Sequence, residues 1–189
     1  MLGTRDLSKP EVVKWAKEHP GGLTGFFAET AAFGDILVLA TGGTVTKEVV
    51  SMAGLENFSG KTVIDATNPI DVAPPVNGVL HFFTTPGRSL MEIIQDLIPE
   101  AHLVKAFNSV GNAFMYKPDF NGIKPTMFFC GNKEDAKRTV TGILDTFGWE
   151  TEDMGKAEAA GPIESLCILW CLPGYLRNQW GHAFKLLKK

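Results

Sequence analysis

Residues 35–44 read Asp-Ile-Leu-Val-Leu-Ala-Thr-Gly-Gly-Thr, a short apolar run that ends in small and polar residues. Three further runs have the same character, at Lys61–Ala66, His102–Phe107 and Thr126–Cys130. Each is apolar and β-branched or aromatic with little polar alternation, which is typical of strands in a sheet covered on both faces.

Helical patterns lie between these strands. The first begins near Ser8, where Glu11 stands three residues on as in a capping box and Pro10 falls in the first turn. Further helices are predicted at 26–32, 45–53, 89–98 and 133–147. The tail 163–187 also looks helical, with a break at Leu172-Pro-Gly174, because proline cannot continue the backbone hydrogen bonds. Strands alternating with helices predict an α/β fold with a mostly parallel sheet.

Composition excludes several classes of protein. The 189 residues are 44% hydrophobic and carry a net charge of −3, which argues against disorder and against nucleic-acid binding. No apolar run reaches the ~18 residues of a membrane span, and the N-terminus has no apolar secretory segment. Three cysteines (Cys130, Cys167 and Cys171) have no zinc spacing. We therefore expect a cytoplasmic protein with no metal, membrane or nucleic-acid partner.

Small and polar residues follow three of the strands. The segments are Ala40-Thr41-Gly-Gly43, Ala66-Thr-Asn68-Pro69 and Asn108-Ser109-Val110-Gly111. In an open parallel sheet the ligand crevice lies beyond the carboxyl ends of the strands. The pattern favours a nucleotide crevice, with ordinary turns as the alternative.

The opening segment points to a phosphate. Met1-Leu-Gly3 is predicted to end a strand, and Thr4-Arg5-Asp6 leads into the first helix. In dinucleotide-binding folds an arginine at this point accommodates a 2′-phosphate of the adenosine ribose. Arg5 has a guanidinium suited to that contact, Thr4 adds a hydroxyl, and Lys9 lies within reach of the same anion. The alternative is a surface arginine near a helix start.

These segments together resemble the NADP oxidoreductase family that depends on coenzyme F420, and the related cytosolic domain of the STEAP metalloreductases. The matching motifs are Gly3-Thr-Arg-Asp6, Leu39-Ala-Thr41, Val63-Ile-Asp-Ala-Thr-Asn-Pro69, Val104-Lys-Ala-Phe-Asn-Ser109, Glu164-Ser-Leu166 and His182-Ala-Phe-Lys185. The resemblance implies a Rossmann-type domain that binds NADP(H), here over residues 1–155, with a helical tail over 156–189. It implies hydride transfer between NADPH and F420 or a flavin.

The resemblance also implies roles for individual residues. Thr4, Arg5 and Lys9 match the 2′-phosphate clamp. Ala40 and Thr41 match the loop beside the adenosine and pyrophosphate, and Asn68 and Pro69 match the turn near the nicotinamide ribose. Asn108, Ser109, Val110 and Gly111 match the segment where the nicotinamide meets the second cofactor. The Leu172–Gly174 break and the following helix match a tail that walls the second site, often across a homodimer.

The N-terminus departs from the family pattern. Members of the family begin with a strand and a Gly-x-Gly-x-x-Gly loop, and no such loop precedes Gly3. A βαβ unit takes 30 or more residues, so roughly 25 residues are expected upstream, with Met1 as an internal position. We expect a central strand to be missing, its two neighbours to have unpaired edges, and NADP to bind weakly or not at all to this chain alone.

Function is expected to reside in the cofactors. Hydride transfer between two flat rings needs positioning and exclusion of water rather than acid–base side chains, and we name no catalytic residue. The leading hypothesis is an NADPH-dependent oxidoreductase with a small-molecule acceptor. The alternatives are an NADP-binding sensor or partner module without turnover, and an inert fragment of a truncated or misread gene.

Overall fold

The structure, a computed structural model, describes all 189 residues and contains two sheets. Strands β1 (Leu2–Thr4) and β2 (Thr24–Phe26) form a parallel pair. The larger sheet has the order β3-β4-β5-β6-β7, with only the β5–β6 pair antiparallel. Its strands are Ile36–Leu39, Thr62–Asp65, His102–Lys105, Thr126–Gly131 and Glu150–Asp153. The expected α/β fold with a mostly parallel sheet is confirmed.

Six α-helices connect and cover the strands. They are α1 (Pro10–Glu18), α2 (Phe27–Phe33), α3 (Gly43–Met52), α4 (Leu90–Leu97), α5 (Glu134–Thr146) and α6 (Ala160–Arg177). Short 3₁₀ helices lie at Leu55–Phe58, Asn112–Phe114 and Ala157–Ala159. The strand predicted to end at Gly3 and the four apolar strands are all present, as β1, β3, β4, β5 and β6, and the sequence analysis missed β2 and β7. β7, Glu-Thr-Glu-Asp, is a polar edge strand without an apolar run.

The core lies on both faces of the larger sheet. Val63 and Leu103 face α3, α4 and α6 on one side, and Ile64 and Val104 face α5 on the other. The expectation of a sheet covered on both faces is wrong for β3. Its Leu37 and Leu39 are buried, whereas Ile36 and Val38 are exposed. The reason is that α5 packs across β4, β5, β6 and β7 and does not extend over β3.

β1 and β3 each have an unpaired edge. β1 pairs with β2 alone and β3 pairs with β4 alone, while β2 and β7 are the other edge strands of the two sheets. The expectation of unpaired edges on the two strands that would flank a further strand is confirmed for β1 and β3. The chain passes from the smaller sheet to the larger one through α2, which contacts β1, β2 and α3.

The predicted capping box at the start of the first helix is wrong. Lys9 is the N-cap residue of α1 and makes no side-chain cap bond. Ser8 is engaged elsewhere, because its backbone N–H and its hydroxyl both donate to the Asp6 carboxylate, at 2.8 and 2.6 Å. These bonds hold the pKa of Asp6 below its ordinary value. A capping box is present instead at α4, between Ser89 and Glu92.

The predicted break in the C-terminal helix is also wrong. α6 runs without interruption through Pro173 and ends where Asn178 takes a left-handed conformation. Proline removes one backbone hydrogen bond, but Trp170 and Gly174 pack on the buried side and keep the turns together. The predicted helix does not continue to residue 187, because residues 178–189 have no regular structure. They fold back, and the backbone N–H of Thr126 donates to the Phe184 carbonyl at 2.8 Å.

The stretch Ala157–Arg177 is long and apolar enough to cross a membrane, judged by length and composition alone. One third of the residues in its most apolar segment are buried in the protein. The expectation that no stretch reaches that length is therefore wrong. In the structure α6 packs on the sheet, and its Glu164 is buried beside Lys105. The division into residues 1–155 and 156–189 stays a prediction.

Candidate functional site

The carboxyl ends of β3, β4 and β5 lie at one edge of the larger sheet. The three strands are adjacent and parallel, with Leu39 opposite Asp65 and Asp65 opposite Lys105. Each strand leads into one of the three small, polar segments of the sequence. The fold therefore brings those segments side by side, as the strand pattern predicts.

Asn68 and Asn108 meet at this edge. The Asn68 amide donates to the Asn108 carbonyl at 2.7 Å, and the Asn108 amide donates to Asn68 Oδ1 at 3.0 Å and to the Ile163 carbonyl at 2.9 Å. Asn108 is 4% exposed, and its Oδ1 is buried without a hydrogen-bond partner in the protein. A buried acceptor of this kind is costly unless a donor from a ligand or water reaches it.

The loop after β3 approaches the same pair closely. Thr41 Oγ1 lies 3.0 Å from Thr46 Oγ1, which donates to the Gly42 carbonyl at the start of α3. A methyl group at Gly43 would collide with the Asn68 carbonyl oxygen. Glycine at this position is thus what allows the β3 and β4 loops to lie against each other.

Replacing Gly43 with alanine is expected to destabilise the protein by about 1–3 kcal/mol, because a backbone carbonyl cannot move aside as a side chain can. The matched change Gly142→Ala, within α5 and with open space around it, is expected to stabilise it by about 0.5–1 kcal/mol. Urea unfolding measures both. Equal effects in the two variants would contradict the close approach at Gly43.

The remaining predicted residues after the strands take different positions. Ala40 is exposed, whereas Pro69 is buried. Ser109 and Val110 are 4% and 8% exposed, so they form the floor of this edge rather than its surface. Gly111 faces the Trp170 ring, where an added methyl would lie 2.8 Å from the nearest ring atom.

The β1 end forms a separate part of the site. Thr4 is buried, and its hydroxyl donates to the Asp6 carbonyl and accepts from the Asp6 N–H. Arg5 is half exposed and lies 3.9 Å from Glu48 on α3. Lys9 lies before α1. No side-chain hydrogen bond joins these residues to Asn68 or Asn108, and the Arg5–Glu48 pair is their ionic link to α3.

The sequence reading missed a buried ionic network beneath the asparagine pair. Lys105 is fully buried, and its ammonium lies 2.8 Å from Asp65, 2.8 Å from Glu164 and 2.9 Å from the Thr67 carbonyl. Burial by itself would lower the pKa of Lys105, but the two carboxylates outweigh it, and the pKa lies above its ordinary value. The available signal was a charged residue inside each of two strands predicted to be covered on both faces.

The raised pKa of Lys105 predicts a stability loss at alkaline pH. A cation with a raised pKa stabilises the folded state fully below its unfolded pKa, near 10.5, and loses that contribution as pH rises through the higher folded value. We expect the difference in unfolding free energy between the wild type and Lys105→Met to shrink above pH 10.5. Urea unfolding at pH 9 and pH 11.5 measures it. A constant difference would contradict the prediction.

The fold, with the parallel strands β3, β4 and β5 ending at one edge of the sheet, defines an α/β chain of the Rossmann type. Over 142 residues it is 27% identical to the F420-dependent NADP reductase of Methanocaldococcus jannaschii, covering 75% of this chain and 62% of that protein. The chain thus spans less than two thirds of that relative's length. No protein-family model matches it.

Solved structures give the same result. A protein of Arthrobacter sp. FB24, proposed to be an F420-dependent NADP reductase, superposes with a TM-score of 0.90 at 29% identity, over 98% of this chain and 87% of that one. A Sinorhizobium meliloti protein of the same fold gives 0.70 at 24% identity, over 95% and 79%. The resemblance to the F420-dependent NADP oxidoreductase family is confirmed.

Proposed function

We propose that this protein is an NADP(H)-dependent oxidoreductase that moves hydride between NADPH and F420 or a flavin-like acceptor. The observation that carries the proposal is the Asn68–Asn108 pair at the joined ends of β4 and β5, with the buried Asn108 Oδ1 free to accept a hydrogen bond. The F420-dependent relatives support the coenzyme pair.

Residues at the strand ends fit parts of a dinucleotide, whereas these 189 residues contain no Gly-x-Gly-x-x-Gly loop for the pyrophosphate. NADPH, when bound, supplies the hydride. Arg5 provides a charged donor fork for the 2′-phosphate, with Thr4 and Lys9 beside it. Ala40 and Thr41 border the adenosine and pyrophosphate.

At the reacting end, Asn68 and Pro69 orient the nicotinamide ribose. Asn108, whose Oδ1 has no partner in the protein, would lie beside the nicotinamide half. The buried Ser109 and Val110 would exclude water beneath it, and Gly111 allows the Trp170 ring to pack directly against the backbone at that point.

Nucleotide titration and steady-state turnover test this function. NADPH and NADH are titrated against the chain and against a form that carries a strand and a Gly-x-Gly-x-x-Gly loop upstream. NADPH oxidation is then followed with F420 and with FMN. The expected result is weak or no binding by the chain alone, and binding of NADPH in preference to NADH by the extended form, with turnover of either acceptor. Binding without turnover would favour the sensor or partner module, and an extended form that folds but binds neither nucleotide would overturn the proposal.

We further propose a cytoplasmic homodimer. All three cysteines are free thiols, which suits a reducing compartment. Leu169, Tyr175 and Leu176 leave an apolar face of α6 exposed, and a second copy would cover it. Sedimentation of the wild type and of Leu176→Lys tests this pairing, with a monomeric wild type as the contrary result.

A further inference from the structure

The buried network around Lys105 has no role in the function proposed so far. An ammonium group has three donors, and Lys105 directs them to acceptors in three separate parts of the fold. Asp65 ends β4, Thr67 lies in the turn that follows, and Glu164 lies on α6. Lys137 on α5 also pairs with two carboxylates, Glu134 and Asp153, but both of these are partly exposed.

The network holds the turn that carries Asn68. Asp65 Oδ1 accepts from the Thr67 N–H at 2.9 Å and from the Thr67 hydroxyl at 2.6 Å, while Lys105 donates to the Thr67 carbonyl. All three polar groups of Thr67 are thereby bonded within the network. Because Asn68 is the next residue, its backbone position follows from these bonds.

The same network fixes α6. The Glu164 carboxylate accepts from the N–H groups of Leu90 and Met91 at the start of α4, at 3.0 and 3.1 Å, as well as from Lys105. The preceding residue, Ile163, accepts from Asn108. Two consecutive residues of α6 therefore bond to Lys105 and to Asn108, and α6 cannot shift without disturbing both.

We propose that Lys105 and Glu164 are positioning residues that set the Asn68–Asn108 pair for the nicotinamide half of NADP(H) and couple that pair to the placement of α6. The inference rests on the proposed function. The network bonds reach β4, β5, α4 and α6 and do not reach Arg5 at the end of β1. Loss of the network should therefore weaken the contacts to the nicotinamide half, while the contacts to the adenosine half remain unchanged.

Two probes, titrated against the form extended upstream and its variants, separate the halves of the nucleotide. NADPH reports on the whole site, and adenosine 2′,5′-bisphosphate reports on the adenosine half. In Glu164→Gln and Lys105→Met we expect NADPH affinity to fall about tenfold or more, since each change removes a charged hydrogen-bond partner, with bisphosphate affinity changed less than about twofold. Lys137→Met, the matched control, should change neither. If Glu164→Gln and Lys105→Met lose affinity for both probes equally, or lose it for neither, the proposal is overturned.

Hydrogen exchange without nucleotide gives a second readout. In Glu164→Gln, the variant more certain to fold, the amides of Thr67, Leu90 and Met91 should exchange about tenfold faster, with the amides of α5 unchanged. If the extended form binds neither probe, the proposed function fails, and the nucleotide-positioning role fails with it. Unchanged protection at Thr67 overturns the network's hold on the turn whether or not nucleotide binds.

Discussion

Replacing Arg5 with alanine should remove most of the preference for NADPH over NADH. Arg5 is half exposed and lies 3.9 Å from Glu48, so it makes only a weak pair within the protein and its guanidinium is available to a 2′-phosphate. Loss of charged hydrogen bonds worth about 1.5–3 kcal/mol predicts a 10- to 100-fold weaker affinity for NADPH. Affinity for NADH, which has no 2′-phosphate, should change less than about twofold. Fluorescence titration of both nucleotides against the form extended upstream gives the two constants.

Two further variants sharpen that test. Arg138→Ala removes another exposed arginine, paired with Asp135 on α5, and should leave both affinities unchanged. Glu48→Gln frees Arg5 from its acidic neighbour and should strengthen NADPH binding by up to about fivefold, the equivalent of a surface ion pair. An equal loss for NADPH and NADH in Arg5→Ala would mean that Arg5 supports the loop rather than the phosphate.

Replacing Lys105 with methionine should have the largest effect on stability. It leaves the Asp65 and Glu164 carboxylates buried without their cation, and breaking a buried ion pair in this way costs about 3–5 kcal/mol. Lys137→Met should cost less than about 1 kcal/mol, because its partners Glu134 and Asp153 are 71% and 44% exposed and can be hydrated. Urea unfolding followed by circular dichroism measures both losses.

If Lys105→Met does not fold, the unfolding free energy of Glu164→Gln tests the contribution of the buried network instead. It keeps the shape of the side chain and one acceptor for the α4 amides, so its cost should fall between those of the two lysine variants. Equal, small losses in Lys105→Met and Lys137→Met would show that the buried network contributes no more than a surface pair.

Much of the fold was predictable because strands and helices have local signatures. The runs at 35–41, 61–66, 102–107 and 126–130 each contain an observed strand, and the segments after the first three lie at one edge of the sheet. The polar β7 has no such signature. Pro173 shows the opposite error, since a strong local signal for a break was overridden by packing of Trp170 and Gly174.

The candidate site was predictable residue by residue but not in its contacts. Asn68 and Asn108 were identified from their places after strands, yet the bonds between them join residues 40 positions apart. Gly43 lies in one of the segments of small and polar residues that the sequence shows after the strands. Its contact with the Asn68 carbonyl, however, depends on how two loops pack against each other. Neither contact leaves a periodic pattern in the chain.

By itself, the sequence determined an α/β chain with small and polar segments after the strands, because short-range apolar patterning and turn residues decide such features. The tertiary structure alone decided that Lys105, Asp65 and Glu164 share one buried site. Glu164 bonds to a backbone amide 74 residues away, and only the assembled core brings those groups within hydrogen-bond distance. A buried charge requires such partners, but its residue type does not say where in the chain they lie.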